Sequence, residues 1–170
     1  MSSAAIAKTV IREAREDDIA ALAQSLAPDV SARQLAQRWE EHLAGYRKIL
    51  VAEEAGSLAG TVSIGGARHQ RTDSLRMFAL DVGIAFRRRG IGASLIRAAE
   101  EEAHLQGLHS THLEVALANT AAIRLYERLG YRSDGDVITD RWSKVADDGS
   151  REEVEEVSWV MVKRLQTHED

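Results

Sequence analysis

The hydrophobic pattern in the first third of the chain predicts one strand, two helices and a β-hairpin. Residues 9–12 alternate as a short strand does. Two apolar stripes at helical spacing follow, one on each side of the single proline: Ile19, Leu22, Ala23 and Leu26, then Leu35, Trp39 and Leu43. Ser31 and Gln34 predict a capping box at the start of the second helix. Apolar residues 48–53 and 58–64, separated by turn residues, predict the hairpin.

The rest of the pattern alternates strands with helices. The predicted elements are strands at 75–82 and 111–116 on either side of a helix at 93–106, a helix between Asn119 and Gly130, and a terminal hairpin of residues 137–145 and 154–165. A strand–helix–strand unit connects right-handed, which makes its two strands parallel. The sequence therefore predicts a single domain of the α+β (mixed α/β) class, with a central, mostly antiparallel sheet, one parallel strand pair and flanking helices.

Composition narrows the class of protein. The chain has 170 residues, of which 44% are hydrophobic and 29% charged, so a soluble domain is expected. It has no apolar run of about 20 residues that could cross a bilayer and no secretory leader at its start, so we expect a cytoplasmic protein without a membrane partner. The absence of cysteine excludes thiolate metal ligands and cysteine nucleophiles. A net charge of −5 argues against a nucleic-acid partner.

A glycine turn separates the strand at 75–82 from the helix that follows it. Its sequence is Arg-Arg-Arg-Gly-Ile-Gly at residues 87–92. Glycine lacks the side chain that would keep a phosphate away from the main chain. A helix that begins here directs unpaired N–H groups and the positive end of its dipole at an anion. The turn therefore predicts a site for the diphosphate of a cofactor.

Two other phosphate-binding loops fit the turn less well. A dinucleotide-binding fold would use Gly90 and Gly92 for the phosphates and Glu114 for a ribose hydroxyl. Leu95, however, stands where that fold needs a third glycine, and several strands precede the turn instead of one. A nucleotide-triphosphate loop needs Gly-Lys-Ser or Gly-Lys-Thr, which does not follow these glycines.

The turn belongs to a longer pattern. Arg87, Gly90 and Gly92 are followed at a coupled spacing by residues 113–131, which include Leu-Glu-Val, an asparagine and Leu-Tyr-Glu-Arg-Leu-Gly-Tyr. In this order the chain resembles the GNAT superfamily of acyl-CoA-dependent N-acetyltransferases, whose turn motif is Arg/Gln-x-x-Gly-x-Gly/Ala. The segment 113–131 is similar to bacterial ribosomal-protein N-terminal acetyltransferases. The resemblance covers most of the chain and implies a GNAT-like fold with a splayed parallel pair, and direct acetyl transfer to a primary amine.

The resemblance also implies where acetyl-CoA, the cosubstrate, would bind. Its diphosphate would lie on the main-chain N–H groups of the turn that begins with Arg87, and these belong to Arg88, Arg89, Gly90, Ile91, Gly92, Ala93 and Ser94. The pantetheine arm would pair with the main chain of Leu80, Asp81 and Val82, where one N–H would polarise the thioester carbonyl. Asn119 would contact the cofactor, although a helix cap explains it equally well. Ile84 stands where many relatives have proline, which leaves the rigidity of the loop open.

Aminolysis of a thioester needs one group that takes a proton from the amine and another that protonates the departing thiolate. The resemblance assigns the acid to Tyr126, whose phenol holds its proton at neutral pH. Its place on an apolar helix stripe is also typical of a core tyrosine. Glu114, twelve residues earlier, is the matching base, although a polar strand position or an ordered water is an alternative explanation. Asp81 is a second candidate base, for which alternation along its strand favours the far face.

The acceptor is expected to be a small primary amine. The ribosomal-protein resemblance makes a protein N-terminus the alternative, but the extended hairpin at 137–165 differs from those enzymes where acceptor specificity is usually set. Trp142 and Trp159 on this hairpin would line an acceptor pocket, form a homodimer contact or pack in the core. A function of another class, a non-catalytic CoA-binding sensor or interaction module, would keep the turn and tolerate loss of both proton-handling groups.

The remaining charged groups are interpreted as surface residues. The six histidines show no metal-ligand spacing, so no metal is expected, and His104, His109 and His112 are expected at the surface. The acidic run at 100–102 is typical of a solvated helix face. The basic loop at 68–71 is interpreted as solvated charge, with the ribose phosphate of the cofactor or an acidic acceptor as its alternative partner.

Overall fold

The computed structural model describes residues 8–65, 71 and 73–167. The strands within them are β1 (Thr9–Glu13), β2 (Lys48–Glu54), β3 (Ser57–Ile64), β4 (Ser74–Val82), β5 (Ser110–Ala116), β6 (Arg132–Val145) and β7 (Arg151–Arg164). The helices are α1 (Asp18–Leu26), α2 (Ala32–Leu43), α3 (Ile91–Leu105) and α4 (Thr120–Arg128), and a short 3-10 turn spans Ile84–Phe86.

These strands form one seven-stranded sheet in the order β1-β2-β3-β4-β5-β7-β6. Neighbouring strands are antiparallel except β4 and β5, which run parallel and are connected through α3. The mixed class and the single parallel pair are thus confirmed. The parallel ladder is short, because it joins only residues 74–76 of β4 to residues 110–112 of β5.

Two hydrophobic clusters pack on opposite faces of the sheet, as the alternation along β2 requires. α3 covers one face with an apolar stripe, in which Ile91, Leu95, Ala99 and Ala103 are at most 2% exposed. α1 and α2 cover the other face through Leu22, Leu26 and Leu35. Leu43, the last residue of the second apolar stripe, is not buried: its side chain is 63% exposed at the C-terminal end of α2.

The acidic run on α3 is only partly solvated, contrary to the prediction. Glu100 accepts hydrogen bonds from the Tyr131 hydroxyl at 2.9 Å and from Lys163 Nζ at 3.0 Å. Tyr131 is completely buried, and this burial raises its pKa. Glu102 accepts from Lys48 Nζ at 3.2 Å. These partners lie 31 to 63 residues away in the chain, so no local pattern reveals them.

His112 and the start of β6 also differ from the predictions. His112 is 1% exposed, because β5 is a central strand, and its Nδ1 lies 2.6 Å from the Ser74 hydroxyl. β6 begins at Arg132, five residues before the predicted start. Arg132 pairs with Val162, and a bulge follows before Val137. This segment lacks the apolar alternation of a strand, so only its long-range pairing reveals it.

Asp18 holds the start of α1 through a largely buried ion pair. Its carboxylate accepts two hydrogen bonds from the Arg12 guanidinium, at 2.7 and 2.8 Å, and one from the Arg15 N–H at 2.7 Å. The hydrogen bonds from Arg12 are the main reason that the pKa of Asp18 is lowered from its usual 3.8. The pair therefore stabilises the fold fully above pH 3.8, and this contribution is lost as the pH falls through the lower pKa of the folded state.

Asp18→Asn is expected to lower the free energy of unfolding by about 2 kcal/mol at neutral pH, because it removes the charge that Arg12 faces. The difference from the parent protein is expected to shrink as the pH falls below 3.8, because the unfolded chain then takes up a proton at Asp18 that the ion pair resists in the folded state. Urea denaturation of both proteins at about pH 7 and about pH 3 measures this. An equal loss at the two pH values would contradict the assignment.

Candidate active site

β4 separates from β5 in the middle of the sheet. Beyond Arg76 and His112 the two strands no longer pair, whereas β4 continues to pair with β3 as far as Val82. Within the described chain, no strand covers the β5-facing edge of β4 after Arg76. Leu80, Asp81 and Val82, the expected partners of a pantetheine arm, lie on this stretch. The splayed pair that the resemblance implies is therefore present, and the role of its main chain stays a prediction.

A β-bulge in β4 decides which side chains face this gap. Phe78 pairs with Ser63 and Asp81 with Thr61, so β4 has one more residue than β3 between the two pairs. Ala79 accommodates the extra residue with a φ of +50°. The bulge resets the alternation of side chains. Asp81 consequently lines the cavity beside the gap, instead of the far face that simple alternation favours.

Gly60 permits the close approach of β3 and β4 beside this bulge. A Cβ at residue 60 would lie 2.7 Å from the carbonyl oxygen of Asp81 and 3.4 Å from the Cα of Val82. Because both are main-chain atoms, any larger residue would force the two strands apart. The sequence predictions do not include Gly60, although a glycine inside a strand is a usual sign of a bulge or a close backbone approach.

The glycine turn leads from the end of β4 into α3. Arg88 and Gly90 both have a positive φ, of +65° and +76°, and Gly90 is the N-terminal cap residue of α3. The first hydrogen bond of the helix runs from the Ser94 N–H to the Gly90 carbonyl at 3.0 Å. The N–H groups ahead of it have no partner inside the helix, and these belong to Ile91, Gly92 and Ala93. These three N–H groups are free to donate to an anion at the start of the helix. The Ser94 N–H, which was also expected to bind the diphosphate, donates to the Gly90 carbonyl instead.

The three arginines of the turn have different surroundings. Arg87 donates from Nε to the last carbonyl of β4 at 3.1 Å and from Nη2 to Asp29 at 2.6 Å. Arg89 pairs with Glu54 of β2. Arg88 is exposed. Arg87 and Arg89 thus fix the turn against the sheet and the α1–α2 loop, which leaves the main chain of the turn to meet a ligand.

Tyr126 on α4 lines the cavity that borders the gap. Its ring meets that of Tyr131 edge-on, with 6.2 Å between the ring centroids. A tyrosine that serves only the core usually has a hydrogen-bonded hydroxyl. Among the described residues, the Tyr126 hydroxyl has no such partner. Burial raises the pKa of Tyr126, and the negative charge of Asp81 raises it further. The phenol therefore keeps its proton beyond the usual value of 10.

Glu114 forms a buried ion pair with Arg76. Both carboxylate oxygens accept from Nε of Arg76 at 3.0 Å, and the two side chains are only 4% and 9% exposed. Protonation of Glu114 by a substrate would leave a buried guanidinium without its counter-charge. Glu114 lies on the cavity wall, but its contacts are those of a structural pair, and its role as the base stays a prediction.

Asp81 is the more accessible of the two candidate bases. Its Oδ2 accepts from Nη1 of Arg38 at 2.9 Å, and its side chain is 28% exposed. Its charge acts on Tyr126, so the two groups are electrostatic neighbours. The structure thus brings Tyr126, Asp81 and Glu114 to the same cavity, with Asp81 placed better than the sequence indicates.

The cavity has a volume of about 1290 Å³, above the range of about 300–1,000 Å³ that is usual for small-ligand pockets. Its floor includes Phe78, with the guanidinium carbons of Arg47 and Arg76 at 4.7 and 4.4 Å from the ring centroid. Burial lowers the pKa of Arg47. Trp142 of β6 lines the opposite wall, whereas Trp159 packs against the core. Trp159 therefore has the core position that was one of the alternatives, and a contact between Trp142 and an acceptor stays a prediction.

Several other groups have structural explanations. Asn119 caps α4, because its Oδ1 accepts a hydrogen bond from the Ala122 N–H at 3.3 Å. Its contact with a cofactor stays a prediction. Within the described ranges, no cluster of three His, Asp or Glu side chains is arranged to hold a metal ion, and no helix is long and apolar enough to cross a membrane. Residues 68–70 lie outside the described residues, and Arg71 pairs with Asp134 and Asp136.

The splayed parallel pair and the glycine turn at a helix N-terminus are the two features that the resemblance implies. The sequence model of the acetyltransferase (GNAT) family matches residues 7–131, which is more than half of the chain. The chain belongs to this family. N-acetyltransferase family 8 member 3 of Rattus norvegicus is 28% identical over 93 residues, which cover 54% of this chain. The match spans only 41% of that relative's length.

Solved structures agree with the fold over nearly the whole chain. The ribosomal-protein-S18-alanine N-acetyltransferase from Escherichia coli has a TM-score of 0.68 at 19% identity, with 96% of this chain and 97% of that one covered. A spermidine N-acetyltransferase variant from Vibrio cholerae has a TM-score of 0.68 at 18% identity, with 92% and 93% covered. The PaiA N-acetyltransferase from Thermoplasma acidophilum, in complex with coenzyme A, has a TM-score of 0.64 at 14% identity, with 93% and 99% covered. At these identities the likeness confirms the fold and leaves the acceptor open.

Proposed function

We propose that the protein transfers an acetyl group from acetyl-CoA directly to a primary amine. The observation that carries the proposal is the position of the glycine turn, which lies a few residues after the part of β4 whose β5-facing edge is unpaired. One continuous stretch of main chain, residues 80–93, can therefore hold a diphosphate at the turn and the arm attached to it along the strand. Membership of the acetyltransferase family supports the same reaction.

The donor site would consist mainly of main-chain groups. The free N–H groups at the start of α3 would hold the diphosphate, and the open edge of β4 would hydrogen-bond the pantetheine arm. Acetyl-CoA supplies an acetyl group already activated as a thioester. The residues of the chain then need to orient the amine, take its proton and return a proton to the sulfur.

Tyr126 is the group proposed to give a proton to the sulfur. It lines the cavity next to the gap, and burial and the charge of Asp81 raise its pKa, so the phenol is protonated at neutral pH. Held beside the sulfur, the phenol would give up its proton only as the thiolate develops. The free-energy cost of desolvation in this buried position is far smaller for a neutral phenol than for a charged acid.

Asp81 is the group proposed to take the proton of the amine, with Glu114 as the alternative. Asp81 is the more exposed, and only its Oδ2 accepts from Arg38. Both oxygens of Glu114 accept from Arg76 in a nearly closed environment. Proton transfer to Asp81 therefore disrupts less of the surrounding structure. Its charge also keeps Tyr126 protonated until the amine has lost its proton.

The two carboxylates can be separated by matched amide variants. Asp81→Asn is expected to lower kcat by about 100-fold with little change in Tm, because it removes a base. Glu114→Gln is expected to lower Tm by several degrees, because it leaves Arg76 buried without its partner, while kcat falls less than about tenfold. Steady-state kinetics and thermal melts measure both effects. The reverse pattern would assign the base to Glu114, and unchanged kcat in both variants would assign it to water.

The acceptor is proposed to be a small primary amine, with a protein N-terminus as the alternative. The shape of the cavity supports a small acceptor, because α2 forms one wall and the β6–β7 hairpin forms the other. A cytoplasmic location, a possible homodimer and the absence of nucleic-acid and membrane partners stay predictions of the sequence.

A panel of polyamines, aminoglycosides, amino acids and N-terminal peptides tests the proposed function. Each is incubated with the protein and acetyl-CoA, and both the free CoA thiol and the acetylated amine are quantified. Turnover of at least one small amine is expected. Tight binding of CoA with no acetylated product from any amine would instead favour the CoA-binding sensor.

A further inference from the structure

The tip of the β6–β7 hairpin is hydrogen-bonded to the N-terminal end of α2. The Ser31 hydroxyl donates to the Val145 carbonyl, and the Val145 N–H donates to Oε1 of Gln34 at 2.8 Å. The Arg33 N–H donates to the Asp147 carboxylate at 3.2 Å. These contacts join segments that are 111 or 114 residues apart in the chain. We call these five residues the clasp.

The clasp uses groups that would otherwise serve α2 alone. The capping-box pattern predicts that the Gln34 side chain turns back to the cap residue of its own helix. It bonds the hairpin instead, while the cap residue Ser31 still accepts the Gln34 N–H at 3.0 Å. Asp147 satisfies another free N–H of the first turn and places a negative charge at the positive end of the helix dipole. Val145 is 4% exposed between the two segments.

The clasp joins two walls of the cavity that contains the proposed site. Gln37 and Arg38 line it from α2, and Trp142 and Ser143 line it from β6, with β4 as the floor. Because the two walls are hydrogen-bonded to each other, the chain is continuous across the cavity at the start of α2 and the tip of the hairpin. An acceptor amine that uses this cavity would bring its nitrogen to Tyr126 between these two walls.

We propose that the clasp determines acceptor specificity: it admits small amines and excludes amines on the surface of a folded protein. This inference rests on the proposed function and narrows its acceptor class. A cavity of about 1290 Å³ can enclose a small molecule, but it cannot take in a folded domain. A folded acceptor would reach the site only if the hairpin tip left α2.

The double variant Gln34→Ala/Asp147→Ala tests this inference. It removes the two side-chain acceptors of the clasp and keeps Ser31, which caps α2. Gln24→Ala is the matched control, because Gln24 is a glutamine on α1 away from the hairpin. Hydrogen exchange of the Val145 amide reports the state of the clasp without any substrate. At least about tenfold faster exchange is expected in the double variant, and unchanged exchange in the control.

Specificity is measured with three acceptors that share the same reactive group: alaninamide, a decapeptide that begins with alanine, and a folded ubiquitin variant that begins with alanine. The parent protein is expected to prefer alaninamide over the folded protein by at least about 30-fold in kcat/KM, and the double variant is expected to narrow this ratio by at least about tenfold. Faster exchange at Val145 with an unchanged ratio would overturn the inference. No turnover of any acceptor by the parent would contradict the proposed function itself, and unaltered exchange in the double variant would contradict the clasp alone.

Discussion

Replacement of Tyr126 by phenylalanine is expected to lower kcat for acetyl transfer by about 1,000-fold and to leave the affinity for coenzyme A within about twofold. The substitution removes only the hydroxyl, and the ring keeps its edge-on contact with Tyr131. The stability of the fold should therefore change little. The loss in rate has a chemical cause, because no other phenol in the described chain lines the cavity except the exposed Tyr46.

The pH dependence gives this prediction a second readout. Burial and the charge of Asp81 raise the pKa of Tyr126, so activity of the parent protein should persist to pH values above the usual 10 before the phenol ionises. The residual activity of Tyr126→Phe should lack this alkaline decline. Tyr46→Phe is the matched control: Tyr46 is 67% exposed at the same cavity, and its loss should leave kcat within about twofold. Full activity of Tyr126→Phe would show that Tyr126 is a core residue only.

Gly90→Val is expected to weaken the binding of coenzyme A by about 1,000-fold, or about 4 kcal/mol. Gly90 has a φ of +76°, which a β-branched residue adopts only at a cost, so the turn would change its shape. A Cβ at this position would meet no protein atom within 4 Å. Any effect beyond the backbone cost must therefore come from a ligand that occupies this space beside the free N–H groups of α3.

Gly107→Val separates the two contributions. Gly107 lies just beyond the other end of α3 and has a φ of +74°, and a Cβ added there would likewise meet no atom within 4 Å. The two variants should lose similar amounts of stability in urea denaturation, since their backbone strain is nearly the same. Only Gly90→Val should lose affinity for coenzyme A in calorimetric titrations. Equal affinities of the two variants would remove the turn from the donor site.

The glycine turn could be found from the sequence because its signal is local. Gly90 and Gly92 stand between a strand pattern and a helix pattern, and each of these follows from a few consecutive residues. The parallel pair follows for the same reason, since one helix pattern between the strand patterns at 75–82 and 111–116 favours a crossover connection between parallel strands. The gap beside the turn depends on where the ladder between β4 and β5 ends, at Arg76, and no residue type marks this end.

The arrangement of the carboxylates could not be predicted. Simple alternation favours the far face for Asp81, but Ala79 adds one residue to β4 and reverses the faces beyond it. Alanine carries no propensity for a positive φ, so the sequence contains no sign of this bulge. The pairing of Glu114 with Arg76 spans 38 residues, and no local pattern indicates it either.

The clasp shows the limit of a correct local pattern. Ser31 does cap α2, as the sequence predicts, because a cap needs only residues three apart. The partner of the Gln34 side chain is Val145, and this contact depends on how far the terminal hairpin extends and where it bends. Residues whose partners lie this far away along the chain have the same neighbours in sequence as ordinary surface residues, so the sequence pattern does not distinguish them.

The central claim is that the N–H groups at the start of α3 hold the diphosphate of coenzyme A beside the open edge of β4. Calorimetric titration with coenzyme A, with dephospho-coenzyme A, which keeps the diphosphate, and with pantetheine, which has no phosphate, tests it most directly. We expect the first two to bind within about tenfold of each other and pantetheine to bind at least about 100-fold more weakly. Pantetheine binding as tightly as coenzyme A, or no heat with coenzyme A at all, would contradict the account.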